Sequence, residues 1–171
     1  VVQGGIRRSW TEFDERAARL GSALLGAGLG MGSKVAQYLY NSPEYLESYA
    51  AALKIRAVPV NVNYRYLDDE LLYLLDNSDA EALVFHSSLG ERVANVAARA
   101  TKLRILIEVD DDGSAMVENA VAYEDAITAH APAPRITRGP DDITMIYTGG
   151  TTGMPKGVMW RQDDLFALLN R

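Results

Sequence analysis

A short apolar run, Ile143-Thr-Met-Ile-Tyr147, passes directly into Thr148-Gly-Gly-Thr-Thr-Gly-Met-Pro-Lys-Gly157. That junction limits the possible folds more than any other segment. Five mostly apolar residues bounded by a glycine cluster read as a buried strand. The ten residues that follow hold four glycines, three threonines and one lysine. Glycines let the backbone bend so that successive N–H groups converge on one concavity, which is a site for an anion. Thr148, Thr151 and Thr152 add short hydroxyl donors for phosphate oxygens or a phosphate-bound Mg²⁺. Lys156 adds a full positive charge, and Pro155 restricts the backbone beside it. A turn that binds nothing has no use for three threonines and a Pro-Lys pair. The segment is therefore a candidate polyphosphate loop, with Thr148, Gly149, Gly150, Thr151, Thr152, Gly153, Lys156 and Gly157 as its binding residues.

The loop differs from two common phosphate motifs. A mononucleotide P-loop ends in Gly-Lys-Ser/Thr, whereas Lys156 stands between Pro155 and Gly157. Gly149, Gly150 and Gly153 also lack the Gly-x-Gly-x-x-Gly spacing of a dinucleotide site.

Upstream, helical and strand patterns alternate. A helix is expected to begin at a Thr11 cap and to carry Phe13, Ala17, Leu20, Leu24 and Leu25 on one face until Gly26, Gly28 and Gly30. Further helices are expected over 44–55, from 67 or 68 to 76, over 90–100, 121–130 and 163–170, with Pro43 suited to a first turn. Strands are expected over 34–40, 57–62, 82–86, 104–109 and 143–147, and one is expected to begin at 158–160. This rhythm predicts an α/β layered domain with a mainly parallel sheet flanked by helices. Ligands of such sheets gather at the carboxyl ends of the strands, where the glycine loop lies.

At these residues the chain resembles the AMP-forming adenylate enzymes, which include the acyl-CoA synthetases. Their phosphate loop runs aromatic-Thr-Ser-Gly-Ser/Thr-Thr-Gly-x-Pro-Lys-Gly. Tyr147, Thr148, Gly150, Thr151, Thr152, Gly153, Pro155, Lys156 and Gly157 match it, and Gly149 replaces the usual serine. Asn41-Ser-Pro-Glu-Tyr45, the stretch from Ala52 to Asn63, and Asn63-Tyr-Arg-Tyr66 resemble the amino-terminal region of the acyl-CoA synthetase branch. Many members have a His shortly after Pro-Lys-Gly; Gln162 is near that position here.

The resemblance implies that residues 1–171 are part of the large N-terminal domain of a longer enzyme, with the remaining N-terminal region and the C-terminal domain absent. It implies ATP, Mg²⁺ and coenzyme A as cofactors or substrates, and a fatty or other bulky lipid acid as the carboxylic acid. The acid would be converted to acyl-adenylate and then to a coenzyme A thioester. Lys156 would stabilise charge on departing pyrophosphate, while the family's principal catalytic lysine lies outside this chain. The fragment alone is expected to be inactive. Two alternatives stay open: an adenylation enzyme that delivers to a carrier-protein thiol, and a non-catalytic α/β module that binds a nucleotide or phosphate.

Composition narrows the partners. A formal net charge of −6 disfavours nucleic acid and anionic membranes, which need clustered Lys and Arg. With no cysteine, disulfides and thiolate chemistry are excluded. No apolar run reaches membrane-spanning length, and no signal peptide is visible, so a cytoplasmic location is expected. Homo-oligomerisation is left open. No metal site is expected from His86, His130 or the Asp110-Asp-Asp112 run, which read as packing or surface histidines and a solvated turn. Tyr38, Tyr40, Tyr45 and Tyr49 read as core and interface aromatics. Trp160 is kept as a candidate pocket residue.

Overall fold

A computed structural model of the chain describes residues 1–3, 5–114, 116–148 and 154–170. A small antiparallel hairpin, β1 (Val2–Gln3) and β2 (Ile6–Arg7), precedes helix α1 (Trp10–Gly26). The cap of α1 is Ser9, two residues before the expected Thr11. Ser9 Oγ accepts from the Glu12 amide at 3.2 Å, and Glu12 Oε2 accepts from the Ser9 amide at 2.7 Å. This reciprocal pair satisfies two otherwise free helix-end donors, which a lone Thr11 would not do. Of the apolar face expected for α1, Ala17, Leu20 and Leu24 are fully buried and Phe13 is half-buried, but Leu25 is exposed.

The chain continues through β3 (Lys34–Tyr38), α2 (Pro43–Lys54), β4 (Val58–Asn61), α3 (Asp68–Asn77) and β5 (Ala80–His86). A short turn of 3₁₀ helix, Ser87–Leu89, leads into α4 (Gly90–Ala97) and β6 (Ile105–Val109). Pro43 occupies the first turn of α2, where its missing N–H costs nothing, and Ser42 caps that helix. The helix expected over 121–130 is shorter. Residues Ala120–Ala122 form edge strand β7 on β6, and helix α5 (Tyr123–Thr128) begins only afterwards. Pairing with an open sheet edge overrides the helical pattern there. The last elements are β8 (Ile143–Thr148), β9 (Lys156–Arg161) and α6 (Gln162–Leu169).

Among the described residues the main sheet has the order β7-β6-β5-β3-β4-β8-β9. All neighbours are parallel except β8 and β9. The α/β layered architecture with a mainly parallel sheet is thus present. Alternation along β3 divides the core. Val35 packs with α1, α2 and α5 on one face; Ala36 and Tyr38 pack with α3 and α4 on the other. No described helix is long and apolar enough to cross a membrane.

Glu47 of α2 is fully buried and holds the helix layer together. It accepts from Arg16 Nε at 3.0 Å and from the Tyr123 hydroxyl at 2.9 Å. Arg8 Nε lies 2.8 Å from Oε1 as an ion-pair contact whose angle falls outside hydrogen-bond geometry. Burial pushes the Glu47 carboxyl up from its usual pKa, and the two guanidiniums oppose that shift. Arg16 reaches outward to Glu124, which is more than half exposed. Removing Glu47 takes the fully buried acceptor from Arg16, Arg8 and the Tyr123 hydroxyl and leaves the two cations only Glu124 and Glu44, whereas removing Glu124 keeps Arg16 on Glu47. Glu47→Ala is expected to destabilise the protein by about 3–5 kcal/mol and Glu124→Ala by less than about 1 kcal/mol, as measured by urea unfolding. Equal losses would show that the network is not organised around Glu47.

His86 ends β5 in a buried position, where its Nδ1 accepts from the Tyr40 amide at 3.1 Å. Burial lowers its pKa, against opposing influences from Asp111 and Glu44. The unfolded chain therefore binds the proton more readily than the folded one. The resulting stability is present above the ordinary histidine pKa and lost as pH falls through the folded value. Thermal unfolding between pH 7.5 and 5 is expected to show this loss, and His86→Asn should flatten the slope. An unchanged slope would remove His86 as its source.

Candidate phosphate site

Strand β8 runs parallel to β4, with Val60 opposite Met145 and Asn61 opposite Ile146. Its carboxyl end, Thr148, therefore opens on the edge where β3, β4 and β5 also end. The chain returns antiparallel as β9, and the ladder runs from Ile143 opposite Arg161 to Thr148 opposite Lys156. Thr148 and Lys156 thus face each other at the two ends of the candidate loop. Gly149, Gly150, Thr151, Thr152 and Gly153 lie outside the described residues. Pro155 is buried, while Lys156 is exposed. The hairpin's ion pairs among the described residues gather at its opposite end.

Met145 and Tyr147 point into the core beneath α3. The Tyr147 hydroxyl donates to Asn77 Oδ1 at 2.7 Å, and burial raises the phenol's pKa, so it stays a neutral donor. Its ring lies against Gly157. A Cβ added at Gly157 would stand 2.9 Å from Tyr147 Cζ and 3.2 Å from Met145 Sδ. Gly157 therefore has a packing reason of its own, separate from the binding role expected for it. On the other face Thr144 is also buried, beneath Tyr49 of α2. Nearer the loop, Ile146 on that face is 37 % exposed. The expectation of a buried strand holds for Thr144, Met145 and Tyr147.

At the far end Asp142 binds the Arg56 guanidinium through both oxygens, with Nη2 to Oδ1 at 2.8 Å and Nε to Oδ2 at 3.0 Å. Asp142 also accepts from the Gly139 amide at 3.0 Å through Oδ2 and from the Gln162 amide at 2.8 Å through its carbonyl. Hydrogen bonding to Arg56 holds its carboxyl below the usual range. Arg56 has φ 59°, a left-handed conformation unusual for a residue with a Cβ. Asn77, Arg56 and Asp142 are absent from the candidate residues read from sequence. The only local hint was the tight turn between α2 and β4.

Trp160 lies opposite Thr144 on β9, and Thr144 is hydrogen-bonded to the Tyr49 hydroxyl at 2.8 Å. Trp160 does not line the groove between α2 and α6, which is built from Tyr49, Leu53, Gln162, Leu165 and Phe166 with neighbouring residues. Gln162 turns a buried, unpartnered Nε2 toward the protein interior. Tyr38 is fully buried, but Tyr40 is exposed and packs on Tyr64 and His86. Asp111 receives hydrogen bonds from the Ser87 and Ser88 hydroxyls and the Ser88 amide, so this part of the acidic run holds the turn before α4. Among the described residues no group of three potential ligands could hold a metal ion. The loop ends bring a hydroxyl and an ammonium, which suit phosphate but do not by themselves make a Mg²⁺ site.

Comparison with known proteins places this geometry in context. The sequence model for AMP-binding enzymes matches residues 1–171. The chain is 41% identical to a medium-chain acyl-CoA ligase of Mycobacterium avium, over 97% of this chain and 33% of the relative. It is 40% identical to a 3-oxocholest-4-en-26-oate–CoA ligase of Rhodococcus rhodochrous, over 99% of this chain and 31% of the relative. The ATP-bound structure of MatB from Rhodopseudomonas palustris matches with a TM-score of 0.81 and 30% identity, over 96% of this chain and 31% of that one. An anthranilate CoA ligase in complex with anthranoyl-AMP shares the fold, with a TM-score of 0.85 at 24% identity, over 93% of this chain and 31% of that one. The chain spans about a third of the length of the curated relatives it matches. By sequence and by fold, the chain belongs to the AMP-binding enzyme family.

Proposed function

We propose that the whole protein activates a carboxylic acid with ATP and transfers the acyl group to coenzyme A. The observation that carries this reading is the 41% identity to an acyl-CoA ligase across nearly the full chain. A fatty or other bulky lipid acid is the proposed substrate class, supported by relatives named for medium-chain acyl groups and for 3-oxocholest-4-en-26-oate. Those names also favour coenzyme A over a carrier-protein thiol as the acceptor.

A carboxylate oxygen attacks the α-phosphorus of ATP, and the bond from that phosphorus to the β-bridging oxygen breaks. The products are acyl-adenylate and pyrophosphate. The coenzyme A thiol, losing its proton, then attacks the acyl carbon, and AMP leaves. Negative charge grows on pyrophosphate in the first step. An ammonium and hydroxyls already in position lower that barrier, because they need no reorganisation as the charge develops. Lys156 and Thr148 stand opposite each other at the loop ends and are suited to this task. Magnesium, where bound, would arrive with the ATP phosphates and reduce their charge. The 171 residues supply this part of the machinery, and we propose that the acyl-transfer groups belong to the remainder of the protein.

Lys156 is exposed at the start of an edge strand, so its truncation should spare the fold. One charge-assisted contact is worth about 1.5–3 kcal/mol, or roughly ten- to a hundredfold in rate. Lys156→Ala in the full-length protein is therefore expected to slow single-turnover adenylate formation by that factor without lowering the melting temperature. An unchanged rate at limiting and saturating ATP would exclude Lys156 from the chemistry.

A further inference from the structure

We propose that Asn77 is a positioning residue for the loop between β8 and β9, acting through Tyr147. The proposal rests on the function just given, since it concerns how Thr148 and Lys156 are held for phosphate. It begins from the last two rungs of the β8–β9 ladder. Tyr147 is opposite Gly157 and Thr148 is opposite Lys156. Tyr147 therefore directly precedes one loop end, and the residue beneath its ring directly follows the other.

The ring stands on the core face of the sheet and lies against Gly157, its cross-strand neighbour on β9. Gly157 makes room for it, since even a methyl group there would come within 2.9 Å of the ring. The hydroxyl decides where the ring points. It reaches Asn77 Oδ1 at the carboxyl end of α3, 2.7 Å away. Asn77 lies on an element packed in the parallel core, with Leu71 and Leu74 of that helix fully buried. The bond thus ties the hairpin to the exposed carboxyl end of a helix whose Leu71, Leu74 and Leu75 are anchored in the core. Beyond its ladder with β8, strand β9 has little packing to hold it, because all six of its residues are exposed and α6 buries none. The Arg56–Asp142 pair secures only the opposite end of the hairpin. Without the Asn77 contact, the loop end lacks its fixed reference point.

This arrangement makes Asn77 separable from a purely structural asparagine. Tyr147→Phe removes one donor and keeps the ring. Asn77→Ala removes the acceptor, and Asn77→Asp restores an acceptor oxygen at the same place. The full-length protein and these variants are compared in two ways. Hydrogen–deuterium exchange over residues 148–157, without nucleotide, reads the loop ends irrespective of activity. ATP–pyrophosphate exchange reads catalysis. Tyr147→Phe and Asn77→Ala are expected to speed deuterium uptake in that segment and to lower kcat by roughly three- to tenfold. The double variant should be no worse than either single one, and Asn77→Asp should recover most of the loss. Unchanged uptake and kcat in both single variants, or losses that multiply in the double variant, would overturn the proposal. A wild-type protein that shows no acid-dependent exchange would instead sink the proposed function, while the deuterium measurement would still decide the brace.

Discussion

The contact between the Tyr147 ring and Gly157 leaves no room for a side chain, and much of the site's geometry follows from it. A parallel sheet delivers the end of β8 to its carboxyl edge, but a parallel strand alone cannot bring a second group back to the same point. The antiparallel return of β9 does so, placing Lys156 opposite Thr148. The backbone ladder sets that closeness, and Gly157 leaves the space that the Tyr147 ring fills on the core face of the pair. The motif's aromatic residue and its final glycine thus complement each other sterically, whatever else they do.

Electrostatics are arranged locally. The chain carries a net charge of −6, so its overall field does not attract ATP. Several cations are committed to internal work: Arg16 to the buried Glu47, and Arg56 to Asp142 at the base of the hairpin. Lys156 is left exposed beside the loop. A cation at that place acts on an anion at short range, where a diffuse basic surface would add little selectivity. Loss of Glu47 removes the fully buried acceptor that Arg8, Arg16 and Tyr123 share, whereas loss of Lys156 disturbs only an exposed strand end.

Much of this was legible in the sequence. Pro43 after Ser42 marked a helix start, the alternation of apolar runs marked parallel strands, and the density of glycine, threonine and lysine marked the loop. Each depends on neighbours within a few residues. The start of α1 was misplaced because the Ser9–Glu12 reciprocal cap competes with Thr11 for the same helix end. Residues 121 and 122 fall within the expected helix but pair as β7, because the partner strand, β6, is distant in the chain. Asn77 and Tyr147 are 70 residues apart and meet only once α3 packs on the sheet. Neither carries a local pattern that announces the other. The Arg56–Asp142 pair, 86 residues apart, was missed for the same reason.

The central claim is that a carboxylate attacks the α-phosphorus of ATP. It is tested most directly by supplying the full-length protein with a lipid acid labelled with oxygen-18 in both carboxylate oxygens, together with ATP and coenzyme A. Mass spectrometry of the nucleotide and phosphate products then follows the label. Attack at the α-phosphorus leaves one labelled oxygen bridging acyl carbon and phosphorus, and thiol attack at the acyl carbon releases it with AMP. The account predicts one oxygen-18 atom per AMP and none in pyrophosphate. Label in inorganic phosphate with ADP as the nucleotide product would mean attack at the γ-phosphorus, and would contradict it.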